Sequence, residues 1–229
     1  MNFLHVNFEN EVSILQGFDQ IAEKISKGVL FRVNKAYYRI LDFEFYCFGE
    51  KFNDPHTYKN DLQLELGKIY LHASGLDITF GDGVNHGGVL IRSVVKLYEG
   101  AEVDEGHMKK QFDGPQIVAT ELFTGLHSVV DPPGMNEIAL LDIDGYQFDS
   151  MFHKPVALLK TKRVGLAKKL QDPDDKFMNM SLRYIVVLKK FPNFKQVSKG
   201  WENIVEEYVK SGKMTDLEAK EILGYNRKF

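Results

Sequence analysis

Two carboxylates, Asp42 and Glu44, lie in a run of aromatic and branched aliphatic residues that spans 37–46. This run contains no glycine or proline, and its composition predicts a β-strand. Side chains alternate along a strand, so we expect both carboxylates on one face, together with Tyr38 and Tyr46. A carboxylate beside aromatic rings loses solvation, which raises its pKa and suits it to act as a general base. The alternative is an edge strand with one solvated face and no catalytic role.

Arg92 is a second candidate, because it interrupts the apolar run 89–95. A buried guanidinium must be paired with an opposite charge. Its natural partner would be a carboxylate such as Glu44 or Asp42. The alternative is that Arg92 lies on a solvated face of its strand.

Helical and strand patterns alternate along the rest of the chain. Helices are predicted over residues 13–27, after Gly114-Pro115, and in a C-terminal pair that covers 201–209 and follows Thr215. Strands are predicted over residues 29–33, 37–46, 68–73, 76–80, 89–95, 138–143, 155–159 and 181–188. Composition and spacing alone therefore predict a mixed α/β domain with a candidate carboxylate site.

Composition places the chain among ordinary globular proteins. Its 229 residues are 44% hydrophobic and 27% charged, and the net charge of −3 gives no global support to nucleic-acid binding. The single Cys47 cannot form an intramolecular disulfide, which favours a reducing compartment. No signal-peptide pattern or membrane-length apolar run is present, so a cytoplasmic protein without a membrane partner is expected.

Several common chemistries find no support in the motifs. The glycine-rich turn 81–88 lacks the spacing of a P-loop or a dinucleotide fingerprint, and the seven histidines lack zinc-type pairing. Neither a phosphate-binding role for this turn nor a histidine zinc site is therefore expected. Ser74 lacks the nucleophile-elbow pattern. The one dense basic cluster either contacts phosphates or forms a solvated loop; it consists of Lys160, Lys162, Arg163, Lys168 and Lys169.

Six short stretches, in this order, resemble the alkyladenine (3-methyladenine) DNA glycosylase family. They are Ile40 to Tyr46 with Asp54-Pro55-His56 after it, Gly67 to His72, Gly88 to Ser93, Gly114-Pro115 with the helix that follows, Arg163 to Leu166, and Leu182 to Val186. The collinear match extends over roughly residues 14–190. Each stretch is short, and their shared order is what carries the resemblance.

The resemblance implies a single α+β domain with a curved antiparallel sheet flanked by helices. Residues 1–195 would form this glycosylase-like domain, and residues 196–229 a helical hairpin packed on it. The implied activity is hydrolysis of the N-glycosidic bond of a damaged or alkylated purine, by base flipping and an activated water. That activity needs no metal or other cofactor.

The resemblance also implies roles for individual residues. Glu44 matches the general base, and Arg92 matches the residue that holds the water and the carboxylate. The residues that match the base-binding pocket are Tyr46, His56, Tyr70 and His72. The candidates for phosphate contact are Lys162, Arg163 and Lys168.

Three departures leave the partner open between DNA and a nucleoside. The basic loop expected after the pocket histidine is replaced by 57–65, and Ala73-Ser74-Gly75 offers no bulky wedge. The pocket asparagine of the family has no clear match near 79–81. The alternatives to a DNA glycosylase are a hydrolase of small modified nucleosides and a non-catalytic descendant that binds an aromatic ligand or a protein.

Overall fold

The structure is a computed structural model, and it describes residues 2–99, 110–127, 136–142, 155–171, 174–188, 196 and 198–224. His107 and His153, two of the seven histidines, lie outside these residues, as does Ile143 at the end of a predicted strand.

The described residues contain five α-helices and nine β-strands. The helices are α1 (Glu11–Gly28), α2 (Pro115–Thr124), α3 (Lys176–Asn179), α4 (Trp201–Lys210) and α5 (Asp216–Leu223). The strands are β1 (Val29–Val33), β2 (Ala36–Phe48), β3 (Leu66–His72), β4 (Gly75–Phe80), β5 (His86–Glu99), β6 (Lys110–Asp113), β7 (Ile138–Asp142), β8 (Ala157–Thr161) and β9 (Arg183–Val187). Short 3-10 helices cover Asn2–Leu4 and Asp61–Leu64.

All nine strands form one antiparallel sheet built around β2 and β5. The main path runs β3-β4-β5-β2-β1-β7, while β6 pairs with β5 and β9 joins β2 to β8. On one side β2 pairs along its length with β5, and on the other it pairs first with β1 and then, from Asp42 to Glu44, with β9. Register shifts between Ile40 and Phe43 mark the change of partner, and such irregularities bend a strand. The sheet therefore curves.

The main core lies between α1 and the sheet. Helix α1 begins with a capping box, in which the Asn10 side chain accepts from the Ser13 backbone N–H. Its buried face carries Phe18, whose ring stacks on Phe45 with the centroids 4.5 Å apart. This packing fixes β2 from the face opposite to the Glu44 carboxylate, because neighbouring side chains point to opposite faces.

Helices α4 and α5 form a hairpin that packs on β8 and β9. Its apolar side chains share a cluster with Ile185 and Leu159. Tyr208 of α4 also binds the backbone of Lys160, accepting from its N–H and donating to its carbonyl. The helical hairpin is thus attached to the sheet by both apolar and polar contacts.

The structure confirms the expected mixed α+β class with a curved antiparallel sheet and helices around it. The edge-strand alternative for 37–46 is wrong, because β2 is central and residues 38–45 are all buried. The strict alternation expected along this strand is interrupted by the register shifts near Asp42. Strand β6 and helix α3 are additional elements that the sequence patterns did not predict.

Candidate active site

Glu44 lies at the centre of a buried hydrogen-bond network. Its Oε2 accepts from the Tyr46 hydroxyl at 2.8 Å and faces Arg92 Nη1 at 3.4 Å. Its Oε1 accepts from the backbone N–H of Val164 at 3.0 Å. The carboxylate is fully buried, and three donors from three separate segments hold it in one orientation.

Burial raises the pKa of Glu44 above that of an ordinary glutamate, although Arg92, the Val164 N–H and the Tyr46 hydroxyl each act to lower it. Burial, with the charge of Glu44, also raises the pKa of Tyr46 well above its usual range. The tyrosine therefore remains a donor. A buried carboxylate with a raised pKa is a stronger base than an exposed one, which is the property that a general base requires.

Asp42 has a different role from Glu44. Its carboxylate forms a bidentate pair with Arg183, with distances of 2.9 and 2.5 Å, and both side chains are buried. Bidentate guanidinium–carboxylate pairs fix geometry as well as charge. The two carboxylates look equivalent in the sequence pattern, but they differ in the structure. Asp42 belongs to a structural ion pair, whereas Glu44 is the candidate base.

Arg163 positions the loop that supplies the Val164 N–H. Its buried guanidinium donates to both oxygens of Asp54, at 2.6 and 3.2 Å, and to the carbonyls of Phe45 and Phe177. It also lies over the Tyr46 ring, 4.5 Å from the centroid. One side chain therefore fixes the loop against the strand that carries Glu44.

A cavity of about 590 Å³ lies directly above this network. Its wall includes Tyr46, His56, Thr57, Tyr58, His72, Ser74, Asp77, Leu90, Arg92, Pro115, Val164, Gly165, Leu166, Ala167 and Lys169. Within this wall, the side chains of Tyr46 and Arg92 and the backbone N–H of Val164 bind the Glu44 carboxylate. The volume is in the range of small-molecule sites.

Neither a protein-family model nor a curated protein matches this sequence.

A second buried carboxylate lies across the cavity from Glu44. Asp77 accepts from Gln63 Nε2 at 2.9 Å and contacts His72 Nε2 at 3.1 Å. The other ring nitrogen of His72 accepts from the Ser74 N–H at 3.2 Å. Because a backbone N–H can only donate, Nδ1 is unprotonated, and the ring proton lies on Nε2, facing Asp77.

The structure brings five of the sequence-predicted site residues together. Tyr46, His56, His72 and Arg92 line the cavity, and Glu44 lies beneath it. Tyr70, predicted to bind a base, is outside the lining, and its ring packs on His72 with the centroids 5.0 Å apart.

The three candidates for phosphate contact have different surroundings, and each of them contacts another residue of the chain. Arg163 is buried in its pair with Asp54, so its guanidinium is not presented to a phosphate. Lys162 binds Asn179, and exposed Lys168 faces Asp175. The basic cluster is therefore largely occupied by contacts within the chain.

Other site residues had no signal of their own in the sequence. Asp77 and Tyr58 sit in ordinary strand and loop contexts, and the Val164 N–H is a backbone group that any residue except proline would provide. The paired spacing of His72 and Asp77 around the two-residue turn Ala73-Ser74 is the one pattern that could have indicated a contact, since it predicts a tight hairpin.

No three His, Cys, Asp or Glu side chains within the described ranges are arranged to hold a metal ion. Across the same ranges, none of the helices combines the length and apolar character needed to cross a membrane.

Proposed function

We propose that the protein hydrolyses the N-glycosidic bond of a modified purine, with Glu44 as the general base. The observation that carries the proposal is the meeting of Glu44, Tyr46 and Arg92 at the base of a cavity with aromatic walls. A buried base with a fixed orientation and a purine-sized space above it are the two requirements of this reaction.

In the proposed reaction, a water molecule bound near Glu44 Oε2 attacks the anomeric carbon of the sugar. Its proton passes to Glu44, a bond forms between the water oxygen and the anomeric carbon, and the C–N bond breaks with its electron pair leaving on the base. The contact between Arg92 Nη1 and Oε2, at 3.4 Å, is at the long end of hydrogen-bonding distances. A water inserted between the two groups would bind both.

The fold supports the glycosylase-like interpretation through the placement of the matched segments. The stretches that resemble the family supply β2, β3, β5, α2, the Arg163 loop and β9, and all of these segments except β9 provide cavity residues. The non-catalytic alternative would be favoured by a wide separation of Glu44 and Arg92, and these two side chains are in contact.

The test is release of base from two substrate classes, duplex oligonucleotides that carry an alkylated purine and the corresponding free nucleosides. Glu44→Gln should lower the rate by about 10²–10⁴-fold, the usual contribution of general-base catalysis. Glu23→Gln, on the exposed surface of α1, is the matched control and should leave the rate unchanged. Base release by Glu44→Gln at the wild-type rate would refute the assignment.

A small modified nucleoside is the second candidate substrate. The Ala73-Ser74 turn carries no bulky side chain to insert into a duplex, and the guanidinium of Arg163 is buried. Turnover of free nucleosides without turnover of the damaged duplex would select this version. If duplex DNA is the substrate, replacing Lys162 and Lys168 by alanine should weaken binding and reduce its dependence on salt concentration.

A further inference from the structure

Arg183 lies directly opposite Glu44 in the pairing of β2 with β9. Directly paired residues on adjacent strands share a face of the sheet, so the Arg183 side chain lies on the same face as the candidate base. Its Nε and Nη2 donate to Asp42 at 2.9 and 2.5 Å, and the side chain is 1% exposed. A buried pair of opposite charges therefore lies beside Glu44.

The third nitrogen of the Arg183 guanidinium is bound by the segment that leads into the α4–α5 hairpin. Nη1 donates to the carbonyl of Lys199 at 3.0 Å. Lys199 precedes Gly200, the N-cap of α4, which adopts a φ of +77°. In the same segment, the Gln196 side chain forms two hydrogen bonds with the backbone of 186–188. The entry segment is thus attached to β9, and its last carbonyl before the helix binds Arg183.

The hairpin covers the face of β9 from which Arg183 projects. Side chains at alternate positions of a strand share a face, so Arg183, Ile185 and Val187 point the same way. Ile185 and Val187 belong to the apolar cluster of the hairpin, while the residues between them belong to the main core. Because all three nitrogens of Arg183 have partners, its position depends on the hairpin as well as on Asp42.

The charges of this pair interact with Glu44 and with a further carboxylate, Asp113 at the end of β6. Burial acts to lower the pKa of Arg183, but Asp42, Glu44 and Asp113 together raise it. Burial raises the pKa of Glu44, and the charge of Asp42 also acts to raise it. Asp113 joins the group through Ser93, which is directly opposite both Asp113 and Asp42. A change in the pairing of Asp42 with Arg183 must therefore change the free energy of the charged form of Glu44.

We propose that Arg183 is a positioning residue for the Glu44 site, and that the α4–α5 hairpin holds it there through the Lys199 carbonyl. The inference rests on the proposed function for the role of Glu44 as a base, and it gives the hairpin a part in that site. Arg183 acts on Glu44 by compensating the charge of Asp42, and it takes no part in proton transfer.

Other ionisable groups also surround Glu44, and they stay the same in every variant used below. The charged or titratable groups packed around Glu44 and Arg183 in the described residues are Asp42, Tyr46, Arg92, Asp113 and Arg163. Across the cavity are His56, Tyr58, His72, Asp77 and Lys169. The variants change only Asp42, Arg183 and two turn glycines, so a difference between variants reports the pair or the hairpin.

The test is a direct titration of the Glu44 carboxyl by ¹³C NMR in the full chain, with the signal assigned by its absence in Glu44→Gln. Arg183→Met leaves the charge of Asp42 uncompensated, so the Glu44 midpoint should rise by about one pH unit. Asp42→Asn leaves the charge of Arg183 uncompensated, so the midpoint should fall by about the same amount. The double variant removes both charges and should return the midpoint close to the wild-type value.

A milder change tests the hairpin. Gly200→Val places a β-branched residue at a φ of +77°, which such a residue rarely adopts, so the turn that carries the Lys199 carbonyl must shift. Gly212→Val is the matched control, because Gly212 has a φ of +69° and equally open surroundings but lies in the turn between α4 and α5. Gly200→Val should raise the Glu44 midpoint, as Arg183→Met does but by less, and Gly212→Val should leave it unchanged.

A merely structural role predicts that Arg183→Met and Asp42→Asn move the Glu44 midpoint in the same direction, because both would loosen the site. Shifts of the same sign, an unchanged midpoint in both single variants, or equal responses of the two glycine variants would overturn the inference. Should either single variant fail to fold, the glycine variants decide alone, because both replace exposed residues.

The titration is independent of hydrolysis. Opposite shifts in a chain that releases no base would reject the proposed function and leave the role of Arg183 intact. In a chain that releases base, the pH midpoint of activity should follow the Glu44 midpoint from variant to variant. Base release with a midpoint that neither single variant changes would reject the role of Arg183 alone.

Discussion

Replacement of Arg163 by methionine tests whether this residue holds the site together or contacts a phosphate. Methionine keeps much of the apolar stem and removes the guanidinium, which makes four hydrogen bonds and lies over the Tyr46 ring. The Asp54 carboxylate would then remain buried without its guanidinium partner, while still accepting from the His56 N–H at 3.0 Å. Removing one partner of a buried ion pair costs about 3–5 kcal/mol, because the other charge is left uncompensated.

The assay is urea and thermal unfolding of the variant. For a chain of this size each kcal/mol lowers Tm by roughly 2–4 °C, so a fall of roughly 6–20 °C is expected. Asp54→Asn combined with Arg163→Met should recover about 2 kcal/mol relative to the sum of the single variants, since the two residues form one network. Lys162→Met, at the neighbouring exposed position, is the control and should change stability by less than about 0.5 kcal/mol.

A decrease of less than about 1 kcal/mol in the free energy of unfolding of Arg163→Met would refute this reasoning, because removing one partner of a buried ion pair costs more than that. If the same variant instead bound nucleic acid more weakly, with a reduced salt dependence, Arg163 would be a phosphate contact as the sequence suggested.

Four further predictions concern the site and the contacts that support it. Activity should rise with pH along a limb whose midpoint lies above 4.5, because burial raises the pKa of Glu44 and the base must be ionised. The raised pKa also means that folding favours the protonated form, so this contribution to stability is present at low pH and is lost as pH rises through the raised value. Glu44→Gln, which mimics the protonated form, should therefore gain stability relative to wild type at neutral pH but not in acid, as unfolding at the two pH values will show. Gly88→Ala should cost about 1–3 kcal/mol through overpacking against Asp77. Thr215→Ala should cost about 1 kcal/mol by removing the capping box of α5.

Contradicting results can be stated for the pH dependence of activity and for the Gly88 and Thr215 variants. A pH limb with its midpoint below 4.5 would mean that Glu44 is not the titrating base. For Gly88→Ala the comparison is Gly125→Ala, where the added Cβ would meet Val33 Cγ1 at 3.3 Å, and equal costs at both sites would argue against the tight fit at Asp77. Thr215→Ser keeps the capping hydroxyl and should retain the stability that Thr215→Ala loses.

The sequence was sufficient to predict the elements that carry strong local patterns. Helix α1, the β1–β2 hairpin and the α4–α5 hairpin all follow from periodicity and turn residues, and the structure contains each of them. The pairing of Glu44 with Arg92 was also open to prediction, because a cation inside an apolar run requires a carboxylate.

The sequence did not predict which side chains meet, and which become buried, when strands that are distant along the chain pair. The different roles of Asp42 and Glu44 depend on Arg183, which contacts Asp42 only because β9 pairs with β2. Likewise, the basic composition around Arg163 suggested an exposed patch, while the burial of its guanidinium depends on Asp54 from a remote segment. Composition reports the charge of a residue, but the partner and the burial are set by tertiary contacts.

The pairing of β2 with β9 has a consequence for how the protein folds. The Arg183 and Asp42 side chains are separated by 141 positions in sequence, and the Val164 N–H and Glu44 by 120. Contacts between such distant residues form late, because the entropy of closing a long loop must be overcome first. During synthesis, the network around Glu44 can be completed only after β9 has emerged, although β2 and β5 are made much earlier. The appearance of the proposed hydrolytic activity would therefore follow the last stage of folding rather than the formation of the sheet itself.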